Sequence, residues 1–129
     1  MAQNEIYDVI IVGGGPAGLT AGIYAKRAAM ETVLVEKGIP GGQVAVTPGV
    51  ENYPGFPEIG GFELSEKFSQ HAQSYGLEIR QTEAEKVVPG TDYHSVHLSD
   101  GSDLKAHALI LGTGGSPRTL NIPGEQENF

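Results

Sequence analysis

Residues Tyr7-Asp8-Val9-Ile10-Ile11-Val12 form an apolar run that stops at Gly13-Gly14-Gly15-Pro16-Ala17-Gly18 and resumes as an alanine-rich stretch. A run interrupted only by Asp8 suits a strand buried on both faces of a parallel sheet. Proline then sits in the first turn of the following helix, where its missing N–H costs nothing. Gly13, Gly15 and Gly18 supply G-x-G-x-x-G, and Glu36 closes a second apolar run, Thr32-Val33-Leu34-Val35. Strand, tight turn, helix, second strand and terminal acid together make a dinucleotide-binding fingerprint. Gly13 permits the sharp turn, Gly15 leaves room for a pyrophosphate against the backbone, and Gly18 lets the helix press on the first strand. Unpaired N–H groups and the positive dipole end at the helix start then face the phosphates. A carboxylate at Glu36 accepts hydrogen bonds from ribose hydroxyls and repels a 2′-phosphate, so the expected ligand has a free ribose diol: FAD or NAD, not NADP.

The formal charge of −8 over 129 residues removes any diffuse attraction for nucleic acid or an anionic membrane surface. The length suits one domain, or one piece of one. Without cysteine there is no disulfide, thiolate metal site, cysteine nucleophile or redox dithiol in this stretch. Met1-Ala2-Gln3-Asn4-Glu5 carries no positive charge, and the apolar run behind it is too short for a signal-peptide core or a membrane span. A cytoplasmic location is the resulting expectation.

Along the chain, the first helix is expected over Pro16 to Ala29, with Gly18, Gly22, Ala25 and Ala29 on one face nearly free of side chains. Glycine lowers helix propensity by about 1 kcal/mol relative to alanine, so two glycines on that stripe indicate close packing. Lys37 to Gly61 is a long glycine- and proline-punctuated loop that also holds Val, Tyr, Phe and Ile. Such a loop is either a functional border or a well-packed surface segment. Gly41 and Gly42 would let backbone approach a flat group, and Gln43, Thr47 and Asn52 offer polar groups. A second helix is expected to about Tyr75, with Leu64, Phe68, Ala72 and Tyr75 in the core and Gly76 as its stop. Leu77 to Arg80 then returns as a strand. Glu85–Val88, Tyr93–Leu98 and Asp103–Ala106 read as three antiparallel strands, with Asp100-Gly101 as a hairpin turn. His94 and His97, three apart on a strand, point to opposite faces, and no histidine spacing suits a metal. Ala108-Leu109-Ile110-Leu111 is a further apolar run ending in Gly112-Thr113-Gly114-Gly115.

Val9 to Gly18, then Gly41-Gly42-Gln43, then Val50-Glu51-Asn52-Tyr53-Pro54-Gly55-Phe56, resemble the low-molecular-weight thioredoxin reductase family of flavoproteins in order and spacing. The resemblance extends over essentially the whole chain. It implies an α/β fold: a Rossmann-like FAD-binding domain with a central parallel sheet, flanking helices and a small antiparallel three-stranded meander. It also implies a cofactor set. Gly13, Gly15, Pro16, Ala17 and Gly18 would line the FAD pyrophosphate, with Glu36 near the adenosine ribose and Lys37 also among the cofactor-binding residues. Gly41, Gly42, Gln43, Thr47 and Asn52 would border the ribityl chain and isoalloxazine. The residue matching Val87 touches adenine through its backbone in that family, and Thr113 and Gly114 approach the pyrophosphate from the far side. Gly112 stands where the family usually has alanine. Ser116-Pro117-Arg118, with Ile122-Pro123-Gly124-Glu125, matches the exit toward the next domain.

In that family a nicotinamide domain with a Cys-x-x-Cys pair follows, and a returning segment with a Gly-Asp motif completes the flavin site. Residues 1–129 are therefore expected to be the N-terminal portion of an FAD-binding domain, incomplete and without turnover alone. The parent would be an NAD(P)H-dependent disulfide reductase passing electrons through flavin to a thioredoxin-type partner, with the nicotinamide bound outside this chain; the incomplete chain itself, with apolar surface exposed, is expected to form homo-oligomers. No catalytic residue and no metal ligand is expected within it. A ferredoxin–NADP reductase-like flavoprotein and a non-catalytic FAD/NAD-binding module are the alternatives.

Overall fold

The computed structural model describes residues 6–116 and 118–125; Met1–Glu5, Pro117 of the exit segment and residues 126–129 lie outside them. The elements run β1 (Tyr7–Val12), α1 (Pro16–Arg27), β2 (Thr32–Glu36), a 3-10 turn at Gly42–Val46, α2 (Gly61–Ser74), β3 (Glu78–Gln81), β4 (Ala84–Val88), β5 (His94–Leu98) and β6 (Asp103–Leu111).

All six strands belong to one mixed sheet in the order β3-β2-β1-β6-β5-β4. β1, β2 and β3 are parallel, as their alternation with helices requires. The apolar runs read from the sequence as two strands, Asp103–Ala106 and Ala108–Leu111, are one continuous strand. Its first half pairs antiparallel with β5 (His94↔Ala106, His97↔Asp103) and its second half pairs parallel with β1 (Ile11↔Ile110). The meander is thereby an extension of the central sheet, curled over one face of it. Nothing in local periodicity signals this, because both halves of β6 alternate as strands do and only the partner changes.

Two cores result. Val9, Ile11, Leu19, Leu34, Ala72 and Leu77 join the sheet to α1 and α2. On the other face Ile10, Val33, Val35, Val96, Leu98 and Ala106 pack the meander beneath β1 and β2. Every side chain of β2 from Thr32 to Val35 is buried, which is why that stretch reads as a continuous apolar run. On α1 the bare stripe is real at Gly18, Gly22 and Ala25, with Leu19 buried beside it. A Cβ on Gly22 would come within 2.6 Å of Leu77 Cδ2, so this glycine admits the residue that leads into β3. Ala29 falls beyond the helix with φ +60 and is exposed. On α2, Leu64 and Ala72 are buried and Phe68 is half-buried. Tyr75, expected in the core, is 44 % exposed: it is the C-cap, one residue past the helix, and its ring lies against His71.

Candidate functional site

The chain leaves β1 toward β2 and β3 on one side and returns through β6 on the other, so the strand order reverses between β1 and β6. A crevice at the carboxyl ends of strands that part in this way is where open α/β sheets bind ligands. Gly13 and Gly112 stand at that point. Gly13 turns out of β1 at φ +109, and a Cβ on it would lie 2.0 Å from the Gly112 carbonyl oxygen. A Cβ on Gly18 would lie 1.8 Å from the Gly13 carbonyl oxygen. Three stretches of backbone thus touch where no side chain fits, and Gly112 N donates to Val12 O at 2.8 Å to hold β6 in place. Gly112 itself has ordinary room: a Cβ there meets nothing closer than 3.5 Å.

Helix α1 opens with Gly15 as N-cap and Pro16 at its first position, with no side-chain cap. Leu19 N, bonded to Gly15 O at 2.9 Å, is the first amide to find an intrahelical acceptor. The Ala17 and Gly18 amides precede it and have no acceptor within the helix. Together with the helix dipole they form a positive end able to hold a phosphate without any basic side chain.

Glu36, at the end of β2, accepts a hydrogen bond from Gly14 N on Oε1 (2.9 Å) and from Gly38 N on Oε2 (2.7 Å). Its carboxylate therefore already braces the glycine turn. Each carboxylate oxygen has a second lone pair, which leaves acceptor capacity for a ribose hydroxyl. Beside it a cavity of about 140 Å³ opens between Gly13, Glu36, Lys37, Thr82, Ala84 and Thr113. Glu36, Lys37 and Thr113 were expected there from the sequence. Thr82 and Ala84 were not, since they come from the β3–β4 connection and the first residue of β4, which line the cavity through pairing and packing distant in the chain. Val87, expected near adenine through its backbone, packs its side chain against the core beneath β1, and the β4 residue at the cavity wall is Ala84.

The long loop is folded onto the same turn. Gly41 N donates to Gly14 O at 2.7 Å, and a Cβ on Gly42 would press to 3.1 Å from Gly15 Cα. Thr47 Oγ1 donates to Gln43 O at 3.0 Å, and Gln43 Nε2 reaches across to Gly115 O at 2.8 Å, linking the loop to the segment after β6. Gly114 lies in the same segment, exposed, at φ +69. Val50 and Ile59 exchange both backbone hydrogen bonds, at 2.8 and 3.0 Å, and pin the base of the residual loop. A second cavity, about 690 Å³, lies between Pro16, Val44, Thr47, Asn52, Tyr53 and Phe68. Pro16, Thr47 and Asn52 are thereby brought together, while Gln43 faces the other way. Tyr53 and Phe68, with ring centroids 5.5 Å apart, form a wall that the sequence reading assigned to loop and core.

Among the described residues no group of His, Asp and Glu could hold a metal ion. His94 Nδ1 accepts from Gly90 N, and His97 pairs with Asp103 across the strands. Among the described residues no helix is long and apolar enough to cross a membrane.

The sequence profile of the pyridine nucleotide-disulphide oxidoreductases matches residues 7–129. The chain belongs to that family. It is 45 % identical over 127 residues to the thioredoxin reductase of Bacillus subtilis, covering 98 % of this chain and 40 % of the relative. The thioredoxin reductase of Listeria monocytogenes is 43 % identical over 126 residues, with 98 % and 39 % covered. The crystal structure of Lactococcus lactis thioredoxin reductase superposes with a TM-score of 0.88 at 40 % identity, covering 94 % of this chain and 40 % of that one. The chain thus spans about two fifths of the length of the relatives it matches. Within the pyridine nucleotide-disulphide oxidoreductases it carries the glycine turn, the braced acid and the strand-end crevice described above.

Proposed function

We propose that this chain is the N-terminal FAD-binding part of an NAD(P)H-dependent disulfide reductase of the thioredoxin reductase kind. The observation that carries this reading is the unclaimed amide end of α1, set against a side-chain-free cradle of Gly13, Gly18 and Gly112 with Glu36 beside it. The group's chemistry fits the residues: a pyrophosphate needs close backbone approach and amide donors, a ribose diol needs acceptors, and both lie along one crevice. Gly13, Gly15, Pro16, Ala17 and Gly18 would hold the pyrophosphate, with Thr113 and Gly114 opposite, and Glu36 and Lys37 the adenosine ribose. Gly41, Gly42, Gln43, Thr47 and Asn52 would border the flavin end, and the backbone at Val87 the adenine. Bound FAD would supply the two-electron carrier between a reduced nicotinamide and a dithiol. The chain's own residues orient that carrier, while both exchange sites belong to parts of the parent outside residues 1–129. In the parent we place a thioredoxin-type partner, a homo-oligomer and a cytoplasmic location.

Titration of the purified chain with FAD, followed by flavin fluorescence and calorimetry, tests the reading. Saturable one-to-one binding, with NADP much weaker than NAD as a competitor, is the expected result. A colourless protein that binds NAD and not FAD overturns it. NAD(P)H oxidation by this chain plus FAD alone would overturn the assignment of the exchange sites to other parts.

A further inference from the structure

Ser65 lies on α2, far in sequence from the glycine turn, and is 1 % exposed. Its Oγ has no hydrogen-bond partner among the described residues. A buried unpaired hydroxyl is a cost that alanine would remove, so its retention directs attention to what the side chain touches. That neighbour is Gly41, which lies directly upon it. A Cβ built on Gly41, whose φ is +135, would fall 2.5 Å from Ser65 Cβ and 2.6 Å from Ser65 Oγ. Gly41 in turn donates its N–H to Gly14 O at 2.7 Å, and Gly14 donates its own to Glu36 Oε1 at 2.9 Å.

We propose that Ser65 is a positioning residue for the dinucleotide site: its side chain is the floor that sets the height of Gly41 and, through the Gly41–Gly14 hydrogen bond, the shape of the glycine turn. The path runs from the Ser65 side chain, which with Ala45 fills the space where a Gly41 side chain would lie, through the Gly41–Gly14 backbone hydrogen bond to the bond that Gly14 N donates to the Glu36 carboxylate. None of its steps includes a ligand, so α2 acts on the bonded form of the turn through the protein's own contacts. A smaller side chain leaves Gly41 unsupported. A larger one lifts it and stretches the bond to Gly14. Gly41 cannot answer by growing a side chain, because of both its φ and the space. The significance of the contact for cofactor binding rests on the FAD reading above; the mechanical link does not.

The test separates the two. Amide hydrogen exchange of the ligand-free chain is measured for Gly41 and, as an internal reference, for Val50, whose amide is bonded at 2.8 Å to Ile59 O in the same loop and not to this path. In Ser65→Ala, which deletes the unpaired hydroxyl and is expected to melt no lower than the unsubstituted chain, Gly41 exchange accelerates at least threefold relative to Val50. In Ser65→Val the ratio rises at least tenfold and the FAD dissociation constant rises at least fivefold. A Gly41-to-Val50 ratio that changes less than threefold in Ser65→Ala overturns the proposal, whether or not Ser65→Val folds. If the unsubstituted chain takes up no FAD, the functional reading fails and the exchange ratio still decides the role of Ser65.

Discussion

At the scale of single residues, the glycines of the crevice divide into those with no room and those with room. Gly13→Ala and Gly18→Ala drive a Cβ into backbone oxygen that cannot yield. Each is expected to lose about 3 kcal/mol or more of stability, seen as a lower midpoint in urea unfolding. Gly112→Ala meets only ordinary contacts, and reduced freedom of the unfolded chain should make it neutral or stabilising by up to about 1 kcal/mol. A destabilised Gly112→Ala variant would mean that the added Cβ meets Gly18 N more closely than the 3.5 Å that the backbone geometry gives it. Glu36 offers a second measurement. Glu36→Gln keeps one acceptor and turns an NH2 group toward a backbone N–H, so one of the two bonds is lost and the other loses its charge assistance. The expected cost in the ligand-free chain is about 1.5–3 kcal/mol, read from the same unfolding curves, before any effect on a ribose.

At the scale of elements, the hydroxyl of Tyr7 ties β1 to β3. It donates to Glu78 Oε1 at 3.0 Å, and Glu78 Oε2 accepts from Arg80 Nε at 2.8 Å. Burial, reinforced by the bond to Glu78 and its negative charge, raises the Tyr7 pKa above its usual value of about 10. The folded state therefore holds the phenol proton more tightly than the unfolded state. The associated stability is complete below pH 10 or so and is lost as pH rises through the folded pKa. Tyr7→Phe should lose about 1 kcal/mol at neutral pH and flatten the alkaline limb of the stability profile. An identical alkaline limb in the two proteins would refute the link. Most of this layout is legible in the sequence: buried strands such as Thr32–Val35 announce themselves as apolar runs, and helix α1 by proline and its small-residue stripe. What is not legible depends on partners distant in the chain. The change of partner within β6 at Ala106 leaves no local trace, because periodicity reports burial and not pairing. For the same reason Thr82 and Ala84 are invisible as wall residues, and the exposure of Tyr75 follows from the helix ending one residue before it. The glycine turn, by contrast, was legible because its geometry allows so few residue types.

At the scale of the whole molecule, the sheet is covered unevenly. Val9 and Ile11 on β1 are buried, yet Ile110 and Leu111 beside them on β6 are 40 % and 62 % exposed. Beyond Ala106, β6 pairs only with β1 among the described residues, so its other edge presents a row of backbone donors and acceptors flanked by apolar side chains. Such an edge invites strand addition. The chain in solution is expected to associate with itself as concentration rises, and Ile110→Lys, which places a charge on that edge, should shift sedimentation toward the monomer. An unsubstituted chain that stays monomeric at high concentration would count against an open edge.

The long reach of β6 also matters in time. Its partner β1 precedes the second half of β6 by about a hundred residues, so the central strand is synthesised well before its second neighbour exists. At the usual pace of synthesis that is an interval of roughly 5–20 seconds, during which β1 has an unpaired edge and the Gly13 turn lacks the wall that Gly112 provides. The glycine turn therefore gains its β6 wall only after the other described strands of the sheet have been made.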